Sequence, residues 1–333
     1  MIIDIHNHFY APKLLEEIEK KKYFSKHLEI EKDSLNRKII VQKGTRVVTI
    51  TEPMTNVDIR LKDMEEAGID IQALSLSIPG VDFLEPEEGL EYAQYSNEGI
   101  SNICRRHPKH FVGIASVPLK DTDRAIQEIR RAVKELGMKG VLIGSNIDGL
   151  FIDDVRFWPF FSEIEKLQIP IFVHPMTPPG NEAMNDYRLA PMIGYEMDLC
   201  LSVARVVFSG LMEKYPKLNF IISHLGGAIP YLISRIENCY NAYPECREKI
   251  SKNPLTYLHK IYFDTVSFYE PALMCAYAFS KANYLIMGSD YPHVIGDIKR
   301  AVTSINDLPI PEIEKRMILG GNIKKMFKLE GQN

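Results

Sequence analysis

Eight times along this chain a short run of β-branched and other apolar residues is followed by a stretch whose apolar positions recur at helical spacing. That alternation restricts the fold more than any other feature. The strand candidates are residues 2–6, 71–77, 111–117, 140–144, 169–173, 219–223, 261–265 and 284–288. Helix candidates cover 57–67, 87–106, 123–136, 155–167, 199–214, 228–242, 271–281 and 311–327. The clearest helix, 123–136, is opened by Asp121 and Thr122 as caps and closed by Gly137. Parallel strands need a crossover long enough to hold a helix, so strands and helices in turn build a parallel sheet covered by helices. Eight such units close a (β/α)8 TIM barrel, and 333 residues fall within the roughly 200 to over 400 that one barrel with insertions occupies. A single α/β domain over residues 1–333 is expected.

Residues 9–56 break the alternation. They hold a charged run, 16–22, and two β-like segments, 39–41 and 46–50, between the first strand and the first barrel helix. A strand-to-helix connection lies over the carboxyl ends of the strands, where barrel active sites are built, so this insertion reads as a lid. Forty Lys and Arg against 44 Asp and Glu leave a charge of −4, too even to attract nucleic acid or an anionic membrane. No run approaches the ~18 apolar residues of a membrane span. Cys104, Cys200, Cys239, Cys246 and Cys275 include no C-x-x-C pair, which suits a reducing compartment better than a disulfide framework. With no secretory h-region at the start, the chain reads as a cytoplasmic protein acting on a small molecule.

The informative polar residues fall at strand ends. Side chains alternate across a strand, so Asp4, His6 and His8 are expected on one face of the first strand, with Ile3 and Ile5 on the other. A His-x-His pair alone says little. Three later strands, however, end as Ile171-Phe172-Val173-His174-Pro175, Ile221-Ile222-Ser223-His224 and Ile286-Met287-Gly288-Ser289-Asp290. In a barrel all these ends open on one mouth, where a histidine or carboxylate closing an apolar strand points to catalysis. Neutral imidazoles and a carboxylate are ligands that zinc and similar divalent ions accept, with one coordination position left open. His6, His8, His174 and Asp290 supply that set, leaving His224 for proton transfer. A second ion would need a bridging ligand at the end of the fourth strand. That end reads Leu142-Ile143-Gly144-Ser145-Asn146, with Lys139 at the opposite end, so one ion is expected.

Together, Asp4-Ile5-His6-Asn7-His8, Val133-Lys134-Glu135-Leu136-Gly137, Phe172-Val173-His174-Pro175, Glu213-Lys214-Tyr215-Pro216-Lys217-Leu218 and Gly288-Ser289-Asp290-Tyr291-Pro292 resemble the amidohydrolase superfamily. The resemblance is to its decarboxylase branch, which includes aminocarboxymuconate-semialdehyde decarboxylase. It implies a metal-dependent carboxy-lyase for an unsaturated or aromatic carboxylic acid, with one ion, zinc or alternatively manganese, on His6, His8, His174 and Asp290. His224 matches the family's catalytic histidine, and Asp290 is counted with it. Arg46 matches a lid arginine that holds a substrate carboxylate, and Arg235 one delivered into a neighbouring subunit's site. Arg235 lies eleven residues past His224, about three helical turns, so it reaches a barrel mouth only across an interface, and a homodimer follows. Arginine suits the role because its planar fork pairs with a carboxylate through two hydrogen bonds.

Thr45, Met176, Pro191 and His293 depart from the aromatic pocket residues the resemblance leads one to expect, which leaves the particular acid open. The same ligands would also serve a hydrolase of a lactone or amide, or a hydratase. A binding protein with a structural ion is a third reading, disfavoured by the open coordination position. His27, His107, His110 and His259 are read as lying away from the mouth.

Overall fold

The computed structural model describes residues 1–20, 28–42, 45–184 and 186–329; Lys21 and Lys22 of the charged run, His27 and Gly44 lie outside them. All eight expected strands form, as β1 (Ile3–His8), β2 (Ile71–Ser75), β3 (Phe111–Ser116), β4 (Gly140–Gly144), β5 (Ile171–His174), β6 (Phe220–Ile222), β7 (Tyr262–Asp264) and β8 (Leu285–Ile286). They pair in parallel and in chain order. The sheet closes where Ile5 N–H donates to the Met287 carbonyl at 3.1 Å and His8 N–H to that of Tyr291 at 2.8 Å.

The helices that follow the strands are α1 (Val57–Ala67), α2 (Pro86–Arg106), α3 (Thr122–Lys134), α4 (Trp158–Leu167), α5 (Tyr195–Phe208), α6 (Ile229–Ala242), α7 (Glu270–Ser280) and α8 (Ile298–Asn306). Asn56 and Asp121 cap α1 and α3 by accepting first-turn N–H bonds. Two helical expectations change. The stretch 199–214 is two helices, because Gly210 takes φ +83° and breaks it. The eighth barrel helix is α8, not 311–327, which instead forms a segmented C-terminal helical stretch. Asp297 caps α8, and Ile298, Ala301, Val302 and Ile305 form its buried stripe. Its β-branched content obscured that helical spacing. Among the described residues no helix is long and apolar enough to cross a membrane.

Two apolar layers hold the barrel. Between strands and helices lies the main core; inside the barrel Ile3, Ile5, Ile71, Ala73, Ile114, Phe172, Ile221 and Ile286 pack together. Between β1 and α1 the chain forms a helix, Pro12–Glu19, and an antiparallel sheet of Leu28–Lys32, Lys38–Gln42 and Thr45–Thr49. This insertion has its own core, in which Leu14, Ile18, Ile40 and Val48 meet Leu76, Leu84 and Tyr92 beside β2 and α2.

Candidate metal centre

The site begins with an irregularity in β1. Asp4 pairs with Gln72 and Asn7 with Leu74, so Ile5 and His6 together stand opposite the single residue Ala73. This bulge overturns the strict alternation expected for the strand. Ile5 stays in the interior cluster, His6 turns onto Phe172 at the mouth, and Asp4 leaves that face altogether. Asp4 accepts bonds from Gln72 Nε2 at 3.0 Å and Ser289 Oγ at 2.7 Å. Gln72 in turn accepts from the buried Arg60 of α1, whose other N–H groups hold Asn7 Oδ1 and the His8 carbonyl.

The four expected ligands do converge. Nitrogen and oxygen atoms of His6, His8, His174 and Asp290 lie within 4.8 Å of one another, all four residues buried. Each imidazole is held by its Nδ1: His6 on Asp264 Oδ2 at 2.6 Å, His8 near Ser75 Oγ at 3.3 Å, His174 on the Pro175 carbonyl at 3.0 Å. Such partners orient the rings so that the other nitrogen is free to ligate. Asp290 Oδ1 lies 3.4 Å from the Nε2 atoms of both His6 and His8. Those two nitrogens are buried without a hydrogen-bond partner among the described residues. An unsatisfied buried polar atom costs about 1–3 kcal/mol, which coordination to a cation would relieve. Gly288 permits the assembly, since a Cβ there would stand 2.8 Å from His6 Cβ and 3.3 Å from Asp264 Cβ.

At three of the four ligands, His8, His174 and Asp290, the electrostatics agree with a cation site. Burial pushes His8 down to about 3 and holds His174 well below the ordinary range. Burial alone would raise Asp290, but contact with His8 and the charge of His6 keep it well below the usual carboxylate value. Burial also pulls His6 down, yet the Asp264 carboxylate more than offsets this and holds it above its ordinary value. Neutral imidazoles at His8 and His174 and an ionised Asp290 are the forms that bind a metal.

His224 stands beside the ligands, its ring centroid 5.2 Å from that of His6. Its backbone is left-handed, φ +51°, and its N–H donates to Asp264 Oδ1 at 2.7 Å. Asp264 thus ties a ligand to the free histidine. Sequence reasoning passed over it, although a carboxylate closing an apolar strand was the signal used for Asp290.

A family model described as amidohydrolase matches residues 3–329. This chain belongs to that family. A relative from Dictyostelium discoideum, 2-amino-3-carboxymuconate-6-semialdehyde decarboxylase, is 30% identical over 98% of this chain and 92% of its own length. The amidohydrolase fold also matches 5-carboxyvanillate decarboxylase from Sphingomonas paucimobilis, with a TM-score of 0.86 at 24% identity over 98% of this chain and 99% of that one. A third match is dihydroxybenzoic acid decarboxylase from Polaromonas, solved with bound manganese and an inhibitor, with a TM-score of 0.79 at 24% identity over 98% of this chain and 97% of that one. The Dictyostelium relative is a decarboxylase, which puts this amidohydrolase in the branch its motifs resemble, and the two solved structures share its fold.

The remaining expected residues of the amidohydrolase site are more scattered. Arg46 sits on the insertion, 58% exposed, 3.3 Å from Glu31. Arg235 is exposed on α6, without an ion-pair partner among the described residues. His293 donates to or accepts from Ser77 Oγ at 2.6 Å, its ring 5.0 Å from that of His8. Met176 and Pro191 follow β5, the first half-buried and the second exposed; Thr45 opens an insertion strand. At the end of β4, the side chains of Ser145 and Asn146 donate to Asp198 rather than to the ligand atoms, while the Ser145 N–H donates to the His174 carbonyl at 2.8 Å.

Proposed function

We propose that this protein is a metal-dependent carboxy-lyase that removes carbon dioxide, without oxidation, from an unsaturated or aromatic carboxylic acid. One observation carries the reading: a buried cage of three imidazoles and a carboxylate, two of its Nε2 atoms unsatisfied among the described residues, with a fourth histidine, His224, beside it and outside the ligand set. His6, His8, His174 and Asp290 would hold one divalent ion, zinc in our reading and manganese as the alternative. Such an ion supplies charge stabilisation and orients the acid's oxygens. His224 handles the proton: it is delivered to the carbon that carries the carboxylate, the carbon–carboxylate bond then breaks, its electron pair stays on that carbon, and carbon dioxide departs. Asp290 shares in this step as the ionised group beside the histidines.

Arg46 and Arg235 anchor the substrate carboxylate in this reading. Arg46 exchanges the exposed Glu31 for substrate as residues 9–56 cover the mouth of the single domain, 1–333. Arg235 comes from a second copy of the chain. Exposed Tyr231 lies four residues before Arg235 on α6, and exposed Met197 and Leu201 lie on the preceding barrel helix, an apolar surface that supports a twofold contact there. The five unpaired cysteines support a reducing, cytoplasmic setting.

The test couples metal analysis of the purified protein to carbon dioxide release over a panel of aminocarboxymuconate semialdehyde, hydroxybenzoates and related acids. His224→Ala is expected to keep the ion and lose turnover. Products that gain water without releasing carbon dioxide would reverse the assignment in favour of a hydrolase or hydratase. Full activity from a protein that light scattering shows to be monomeric would remove the dimer.

A further inference from the structure

His224 is held from two sides, and only one of them is Asp264. The other is Glu196, in the first turn of α5, whose Oε1 stands 3.5 Å from His224 Nδ1. This proximity is built into the backbone. Gly227, at φ +61°, lies so close to α5 that a Cβ would fall 2.2 Å from the Glu196 carbonyl oxygen and 2.9 Å from Cys200 Sγ. One turn further along α5, Cys200 Sγ accepts the Ala228 N–H at 2.9 Å. The turn that carries His224 is therefore docked on the turn that carries Glu196, and each sets the position of the other.

From this geometry we infer that Glu196 is the positioning residue of His224: its carboxylate takes the Nδ1–H, so that Nε2 is the nitrogen presented to the substrate. The arrangement repeats the one at His6, where Asp264 takes Nδ1 and leaves Nε2 facing the ligand cluster. It follows the rule that the hydrogen bond made by one ring nitrogen decides which nitrogen does the chemistry. At 3.5 Å the contact is an ion-pair distance at the long edge of hydrogen bonding, and contacts of this kind tighten when substrate fills a site. Burial holds the Glu196 carboxyl above its ordinary value, and the neighbouring His224 offsets part of that rise. The inference rests on the assignment of proton transfer to His224 made above.

The experiment uses the zinc-loaded full chain with Glu196→Ala, Glu196→Gln, His224→Ala and the Glu196→Ala/His224→Ala double variant. Glu196→Ala and Glu196→Gln are expected to lower kcat by about 10- to 100-fold with KM within about twofold and zinc content unchanged. Because Glu196 acts through His224, the double variant should be no slower than His224→Ala. Independently of turnover, nitrogen-15 spectra of histidine-labelled protein should show His224 losing its Nδ1-protonated tautomer in Glu196→Ala, which leaves Nδ1–H no acceptor at that position. A kcat within twofold of the parent, a loss that multiplies fully with that of His224→Ala, or an unchanged tautomer would overturn the role. If the parent releases no carbon dioxide from any acid, the decarboxylase reading fails instead, and the tautomer measurement still decides the place of Glu196.

Discussion

The two ends of this barrel are built from the same strands and obey different rules. At the amino-terminal end Ile3, Ile5, Ile71, Ala73, Ile114, Ile221 and Ile286 fill the interior with groups that ask only for a well-shaped neighbour. At the carboxyl end His6, His8, His174, Asp264 and Asp290 are equally buried, and each needs a particular partner at a particular atom. One step along β1, from Ile5 to His6, crosses from one regime to the other, and the bulge lies at that step. Apolar packing there serves stability and tolerates repacking, whereas the mouth accepts unsatisfied polar atoms and left-handed backbone at His224 and Asp290 in exchange for chemistry.

Substitutions at the two ends should therefore fail in different ways. The largest effect is expected for Asp290→Ala: the bound ion is lost, and with it the several kcal/mol an ion contributes, so activity falls by about 10³-fold or more. Metal analysis beside turnover checks this, and a variant with its full complement of ion would break the contrast. At the other end, Ile114→Ala should cost about 2–5 kcal/mol of stability in chemical denaturation, with metal content and KM of the folded fraction unchanged. Loss of the ion in that variant would mean that the two ends are coupled.

Asp264→Asn sharpens the contrast further, because it removes the charge behind His6 and keeps the shape. A fall of about 10- to 100-fold in metal affinity or kcat is expected, with stability near that of the parent.

A smaller effect should appear in the pH dependence of stability. Half-buried Asp82, in the segment after β2, accepts the Lys120 N–H at 3.1 Å, and burial pushes its carboxyl up to about 7. An unfolded aspartate titrates near 4, so the folded state binds the extra proton between those values. That contribution is complete below about pH 4 and is lost as pH rises through about 7. Asp82→Asn should accordingly lose less Tm between pH 5 and pH 8 than the parent, and an identical slope would count against a buried charge there. The smallest effect is expected outside the barrel, where Arg130 pairs with Glu163 at 2.7 and 2.8 Å on the helical ring. Arg130→Ala should cost no more than about 1 kcal/mol in the same denaturation assay.

Much of this contrast is legible in the chain itself. Apolar runs placed all eight strands, because a strand buried on both faces leaves a nearly continuous apolar signature. His6, His8, His174, His224 and Asp290 stood out because each interrupts that signature at a strand end. Asp264 carried the same signal and went unread. Glu196 carried none: in sequence it is an acidic residue in the first turn of a helix, the ordinary place for one. Helix α8 was hidden by its β-branched residues, and the exit of Asp4 from the site by a bulge that strict alternation cannot anticipate.

By itself, then, the sequence determined the parallel barrel, the end of it that carries chemistry, and the four residues that meet there, since these depend on local periodicity and on polar residues placed at strand ends. Tertiary structure alone decided that Asp264 holds Nδ1 of His6 and links it to His224, and that Glu196 faces His224 across the close approach at Gly227. Those relations join residues 28 to 258 positions apart, and distances of about 3 Å between them are set only when the strands close and the helices dock, which no local pattern encodes.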